Sequence, residues 1–87
     1  MGFEVLRSVK GGYSKGSVIA KLDALNGLLL AVEAGMPREK ALSELERIKQ
    51  SAIRTEKGGF FGAFGFSVED TDAYISDLVE MIEKKIQ

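Results

Sequence analysis

The chain has no cysteine, no histidine and no tryptophan, and only one proline in 87 residues. Without cysteine there is no disulfide and no thiolate nucleophile, a composition suited to a reducing compartment. Without histidine the commonest general base and metal ligand is gone. Neither a nucleophile paired with a base nor a phosphate-cradling glycine loop of the Walker type can be found. No catalytic residue, metal site or cofactor site is therefore expected, and the chain reads as something other than an enzyme. Long apolar runs are missing too. The most apolar stretch, Leu28 to Val32, has Asn26 and Glu33 on its flanks and falls well short of the roughly 18 residues that a membrane span takes. The first residues show no basic segment ahead of an apolar one, and Leu6 stands where a myristoylation signal needs Ser or Thr. A cytoplasmic location is expected.

What is present is an ordinary globular balance. Hydrophobic residues at 45% and charged residues at 29% place the chain away from disordered compositions. One small domain is expected, burying roughly 60 to 65% of the surface its unfolded chain exposes. A formal net charge of −1 gives no overall attraction for phosphates, which argues against nucleic acid as a partner.

The most informative pattern is a doubled turn. Gly12-Tyr13-Ser14 and Gly65-Phe66-Ser67 each place a glycine, an aromatic and a potential N-cap in succession. At equal distances from the two aromatics come Val18, Leu22, Leu25 and Leu29 in one copy and Thr71, Ile75, Leu78 and Ile82 in the other. The chain thus reads as one domain with an internal pseudo-repeat, residues 12–29 and 65–82. Ser14 and Ser67 cap the helices, and the pairs Tyr13 with Val18 and Phe66 with Thr71 occupy the two positions of a hydrophobic staple.

A mainly α fold of three amphipathic helices follows, at about 14–34, 37–55 and 67–86. The first carries its seam on Val18, Leu22, Leu25, Leu29 and Val32, at alternating spacings of four and three. Gly35 and Pro37 suit a helix stop followed at once by a helix start, so the first two helices should form a hairpin. The second places Ala41, Leu42, Leu45, Ile48, Ala52 and Ile53 inward against a face of mixed charge. The third has Glu69 and Asp70 in its first turn and Lys84 and Lys85 in its last, both favourable to the helix dipole. Its seam of Ile75, Leu78 and Ile82 is widened by Tyr74, Met81 and Ile86. Leu30, Val79 and Met81 broaden the apolar faces beyond a single seam, which points to a homodimer. Short extended segments at about 3–9 and 59–66 could pair as a small β-sheet.

The segment Gly58 to Phe66 is rich in glycine and holds Phe60, Phe61, Phe64 and Phe66. Two readings of it stay open. Its aromatics either tuck onto a thin core, or Phe60, Phe61 and Phe64 form an exposed surface for a protein partner or a peripheral membrane contact. Glu69, Asp70, Asp72 and Asp77 read as capping and solvated residues, since helical spacing alone does not converge oxygens on a metal.

The run from Gly65 through Ser67, Asp72, Tyr74 and Ile75 resembles the signature turn and helix start of DivIVA domains, found in bacterial proteins of cell division and polar growth. Phe66 stands for the family's usual Tyr and Thr71 for its usual Val. In the first copy Gly12, Tyr13, Ser14, Val18 and Leu22 fit, with Ile19 in place of the Asp and Lys21 in place of the aromatic. The resemblance implies a non-enzymatic scaffold or adaptor module, dimeric in the family and able to touch membrane through a Phe-Arg pair before the turn. No Arg adjoins the aromatics in either copy. A different class, a DNA-associated regulatory module with helices 2 and 3 acting as a helix-turn-helix, is opposed by the long glycine-rich connection between them.

Overall fold

A computed structural model describes residues 6–56 and 64–87. The chain is mainly α, with a two-stranded antiparallel sheet. In chain order the elements are β1 (Ser8–Lys10), α1 (Lys15–Glu33), α2 (Arg38–Gln50), β2 (Phe64–Phe66) and α3 (Val68–Ile86). The sheet pairs Ser8 with Phe66, Val9 with Gly65 and Lys10 with Phe64. Residues 3–5 and 59–63 of the expected extended segments, and with them Phe60 and Phe61, lie outside the described residues.

Helices α1 and α3 start from the two expected caps. The Ser14 hydroxyl accepts from the Ser17 amide at 3.4 Å, and the Ser67 hydroxyl accepts from the Asp70 amide at 3.3 Å. The two helices run parallel. Tyr13 meets Asp72 at their N-terminal ends, and Glu33 meets Lys85 at 3.7 Å at their C-terminal ends. Between them lie Val18, Leu22 and Leu25 from α1 and Thr71, Leu78 and Ile82 from α3, all buried. Leu29, Val32, Ile75 and Tyr74 are partly buried against this core.

Helix α1 ends where Gly35 takes φ +105, a conformation that L side chains rarely adopt. The Gly35 amide donates to the Val32 carbonyl and the Met36 amide to the Ala31 carbonyl, both at 3.0 Å, which together make a Schellman stop. The chain then reverses at Pro37, which sits at the N-cap of α2. Helix α2 lies antiparallel to α1 and buries Ala41, Leu45 and Ile48, while Leu42 stays 43% exposed.

Helix α2 stops at Gln50, five residues before the expected Thr55. Nothing in the sequence from Ser51 to Thr55 forbids helix, so the cause is tertiary. Ser51 turns extended, and the Lys21 ammonium donates to the Lys49 carbonyl at 3.2 Å and the Ser51 carbonyl at 2.7 Å, satisfying acceptors a helix end leaves free. The next residues are claimed by the first turn: the Ser14 amide donates to the Arg54 carbonyl at 2.7 Å, and Thr55 bridges Tyr13. As a result Ile53 is half-buried outside the helix and Ala52 is exposed. Leu28, absent from the expected seam, is buried at 5% exposure because α2 covers that side of α1, whereas Met81 of α3 stays 48% exposed.

Candidate interaction surface

The two Gly-aromatic-Ser turns meet each other. The Tyr13 amide donates to the Phe66 carbonyl and the Phe66 amide to the Tyr13 carbonyl, each at 2.9 Å. Such a close backbone approach requires the residue before each aromatic to lack a side chain. A Cβ on Gly12 would overlap the Phe66 carbonyl, and one on Gly65 would overlap the Tyr13 carbonyl.

The outer edges of the turns are satisfied in the same reciprocal manner. Ser14 takes the Arg54 carbonyl from the segment ahead of the second turn, and the Ser67 amide donates to the Arg7 carbonyl from the segment ahead of the first, in a short bond of 2.6 Å. Two backbone hydrogen bonds therefore join the turns directly, and one more ties each helix start to the segment ahead of the other turn.

Each aromatic also reaches the helix launched by the other turn. The Tyr13 hydroxyl donates to Asp72 Oδ1 at 2.9 Å, and the Lys15 ammonium lies 5.4 Å from the centroid of the Phe66 ring. The bond to Asp72 comes first among the causes that raise the Tyr13 pKa above the ordinary phenol range, followed by burial. Val18 and Thr71, paired with these aromatics in the sequence as staples, are fully buried in the core.

A third tie joins β1 to α3. Arg7 Nε donates to Asp70 Oδ2 at 2.8 Å, Arg7 Nη2 donates to Asp70 Oδ1 at 3.2 Å, and the Arg7 amide adds a bond to Oδ2 at 3.1 Å. The Arg7 hydrogen bonds hold the Asp70 carboxyl below its usual range. Asp70, three residues beyond its cap Ser67, thus anchors the strand that precedes the first turn. Its sequence role as a capping acid gave no sign of this partner, because Arg7 lies far away along the chain.

Two surfaces remain. Between α2 and α3 lies a groove of about 750 Å³ with Ile53, Ile75 and Val79 as its apolar lining and Tyr13, Lys49 and Glu83 among its polar groups. Lys21 also borders it, with a pKa lowered by burial. On the opposite flank several large apolar side chains face solvent, Leu30 at 66% and Ile19 at 38% on α1 and Met81 on α3. Phe64, the one expected partner-surface aromatic among the described residues, is 57% exposed at the start of β2.

No group of three or more acidic, cysteine or histidine residues able to hold a metal occurs among the described residues, and none of their helices is long and apolar enough to cross a membrane. Comparison with protein-family models, curated proteins and solved structures gives no match to any of them.

Proposed function

We propose that the chain is a non-enzymatic protein-interaction module of the scaffold or adaptor kind, used in the manner of the DivIVA domains it resembles, in bacterial cell division or envelope growth. The observation that carries this reading is the division of labour among apolar residues. The seams of α1 and α3 are spent on each other within one chain, yet Leu30, Phe64 and Met81 remain 66%, 57% and 48% exposed. Where exposed apolar side chains adjoin in a patch, they commonly mark a contact surface. The two hydrogen bonds between the paired turns, with those from Ser14 to Arg54 and from Ser67 to Arg7, supply the rigid frame such a surface needs.

The test is site-specific photocrosslinking in living cells, with a photoreactive residue at position 64 and, separately, at position 30. A discrete protein adduct at either site is expected. Adducts at neither site, or adducts to DNA alone, would overturn the reading. The latter would favour the regulatory alternative.

A further inference from the structure

Arg54-Thr55-Glu56 lies along the first turn as Arg7-Ser8-Val9 lies along the second. The Ser14 amide donates to the Arg54 carbonyl and the Ser67 amide to the Arg7 carbonyl. Thr55 pairs with Tyr13 where Ser8 pairs with Phe66, and the Glu56 amide donates to the Gly12 carbonyl where Val9 pairs with Gly65. The two arginines therefore hold equivalent places. Beyond the caps the copies part. The third residue after Ser67 is Asp70, and its carboxylate accepts from the Arg7 side chain at 2.8 and 3.2 Å. The third residue after Ser14 is Ser17, whose amide meets its cap just as the Asp70 amide does. Ser17 carries no charge, so Arg54 lacks the carboxylate that Arg7 has, and it forms no ion pair among the described residues.

We propose that Ser17 is a phosphorylation site, whose phosphoryl group is received by Arg54, with Lys21 and Arg47 beside it, in the place that the Asp70 carboxylate holds on Arg7. A protein kinase supplies the γ-phosphoryl group of a nucleoside triphosphate. The bond from phosphorus to Ser17 Oγ forms as the bond to the β-phosphate oxygen breaks, the diphosphate leaves, and the hydroxyl proton passes to a base of the kinase.

Three observations specify an anion at this residue. First, Ser17 and Arg54 line one cleft of about 280 Å³ between α1 and the end of α2, and the other charged residues lining it are Lys21 and Arg47. The Lys21 ammonium is spent on two carbonyls and Arg47 is held by Glu44, so no carboxylate answers Arg54 there. A phosphoserine brings a charge of about −1.5 to −2 and three acceptor oxygens, suited to charge-assisted bonds from a guanidinium. Second, the residues outside the described ones do not bring the missing acid. Residues 57–63 contain Lys57 and neither Asp nor Glu, and the one acid of residues 1–5, Glu4, is three positions from Arg7, which is bound to α3. Third, the acceptor is free to react. Ser17 is half-buried, and its hydroxyl makes no hydrogen bond among the described residues. Once modified, it fastens the segment leaving α2 to α1, as Asp70 fastens β1 to α3.

The test places phosphoserine at position 17 of the full chain by genetic encoding. The melting temperature should rise by about 4 to 8 °C over the parent. Arg54→Gln should abolish that rise while leaving the unmodified chain nearly unchanged. Phosphorus NMR should find the second ionisation of the phosphate below its ordinary value of about 6, and Arg54→Gln should bring it back toward that value. In cells that make the chain naturally, mass spectrometry should find phosphate on Ser17 rather than on Ser14 or Ser51. The proposal is overturned if Ser17 is unmodified in those cells, if phosphoserine lowers the melting temperature or leaves it unchanged, or if the rise survives Arg54→Gln. Inorganic phosphate added to the unmodified chain tests the other source of the same chemistry, and no saturable amide shift is expected at Ser17 or Arg54. Saturable shifts there, with Ser17 unmodified in cells, would assign the cleft to a free oxyanion instead. None of these results depends on the adducts expected at positions 30 and 64, so this inference and the interaction reading stand or fall separately.

Discussion

Tyr13 and Phe66 are each other's backbone partners: each donates its amide to the other's carbonyl at 2.9 Å. The glycines ahead of them make that exchange possible, because a Cβ at either position meets a carbonyl oxygen rather than the flexible end of a side chain. Backbone cannot step aside cheaply, so Gly12→Ala and Gly65→Ala should each cost about 3 kcal/mol or more, at the upper end of overpacking effects. Gly27→Ala is the contrasting case. Its added methyl meets nothing within 4 Å, and in a helix interior it should stabilise by about 0.5 to 1 kcal/mol. Denaturant unfolding of the three variants checks both directions. Equal stability of Gly12→Ala and the parent would show that the two turns do not hold this close approach.

Thr71 and Val18 sit at equal distances from their aromatics, and both are fully buried. Only Thr71 brings a polar atom, and its Oγ1 has no hydrogen-bond partner among the described residues. A buried hydroxyl without a partner carries a desolvation cost that a methyl of the same shape does not. Thr71→Val is therefore expected to stabilise the chain by about 1 kcal/mol, and Val18→Thr to destabilise it by about 1 to 2 kcal/mol. In a domain of this size 1 kcal/mol moves the melting temperature by about 4 to 8 °C, which calorimetry resolves easily. A lower melting temperature for Thr71→Val would mean that its hydroxyl is satisfied in solution.

The helices were legible because their signals are local. Ser14 and Ser67 cap, Gly35 stops, and the seams of α1 and α3 repeat at helical spacing, so one chain segment suffices to read each. The end of α2 was not legible, because Ser51 to Thr55 leaves the helix only to meet Ser14 and Tyr13, residues that no local pattern ties to it. The same holds for the candidate surface. Leu28 and Met81 occupy equivalent positions beside similar seams, and only the placement of α2 against one of them decides that Leu28 is core and Met81 is exposed. The doubled turn was visible as repetition, but that its two copies would hydrogen-bond to each other could not be read from either copy alone.

The tie between Arg7 and Asp70 gives the fold a dependence on acid. The carboxylate accepts from the Arg7 side chain and from the Arg7 amide, and these bonds depress its pKa. A group whose folded pKa lies below its unfolded one contributes stability that is complete above the ordinary aspartate range, about pH 4. That contribution is lost as pH falls through the depressed value, since the unfolded chain takes up the proton first. The parent should therefore lose stability more steeply than Asp70→Asn as the solution is acidified from about pH 5, and the two curves should converge at the acid end. The Arg7 side chain is 69% exposed, so added salt at about 1 M should shrink the difference by screening, leaving the part due to the amide bond. Urea titrations across that range measure it, and parallel curves for parent and Asp70→Asn would show that this pair does not anchor β1 to α3 in solution.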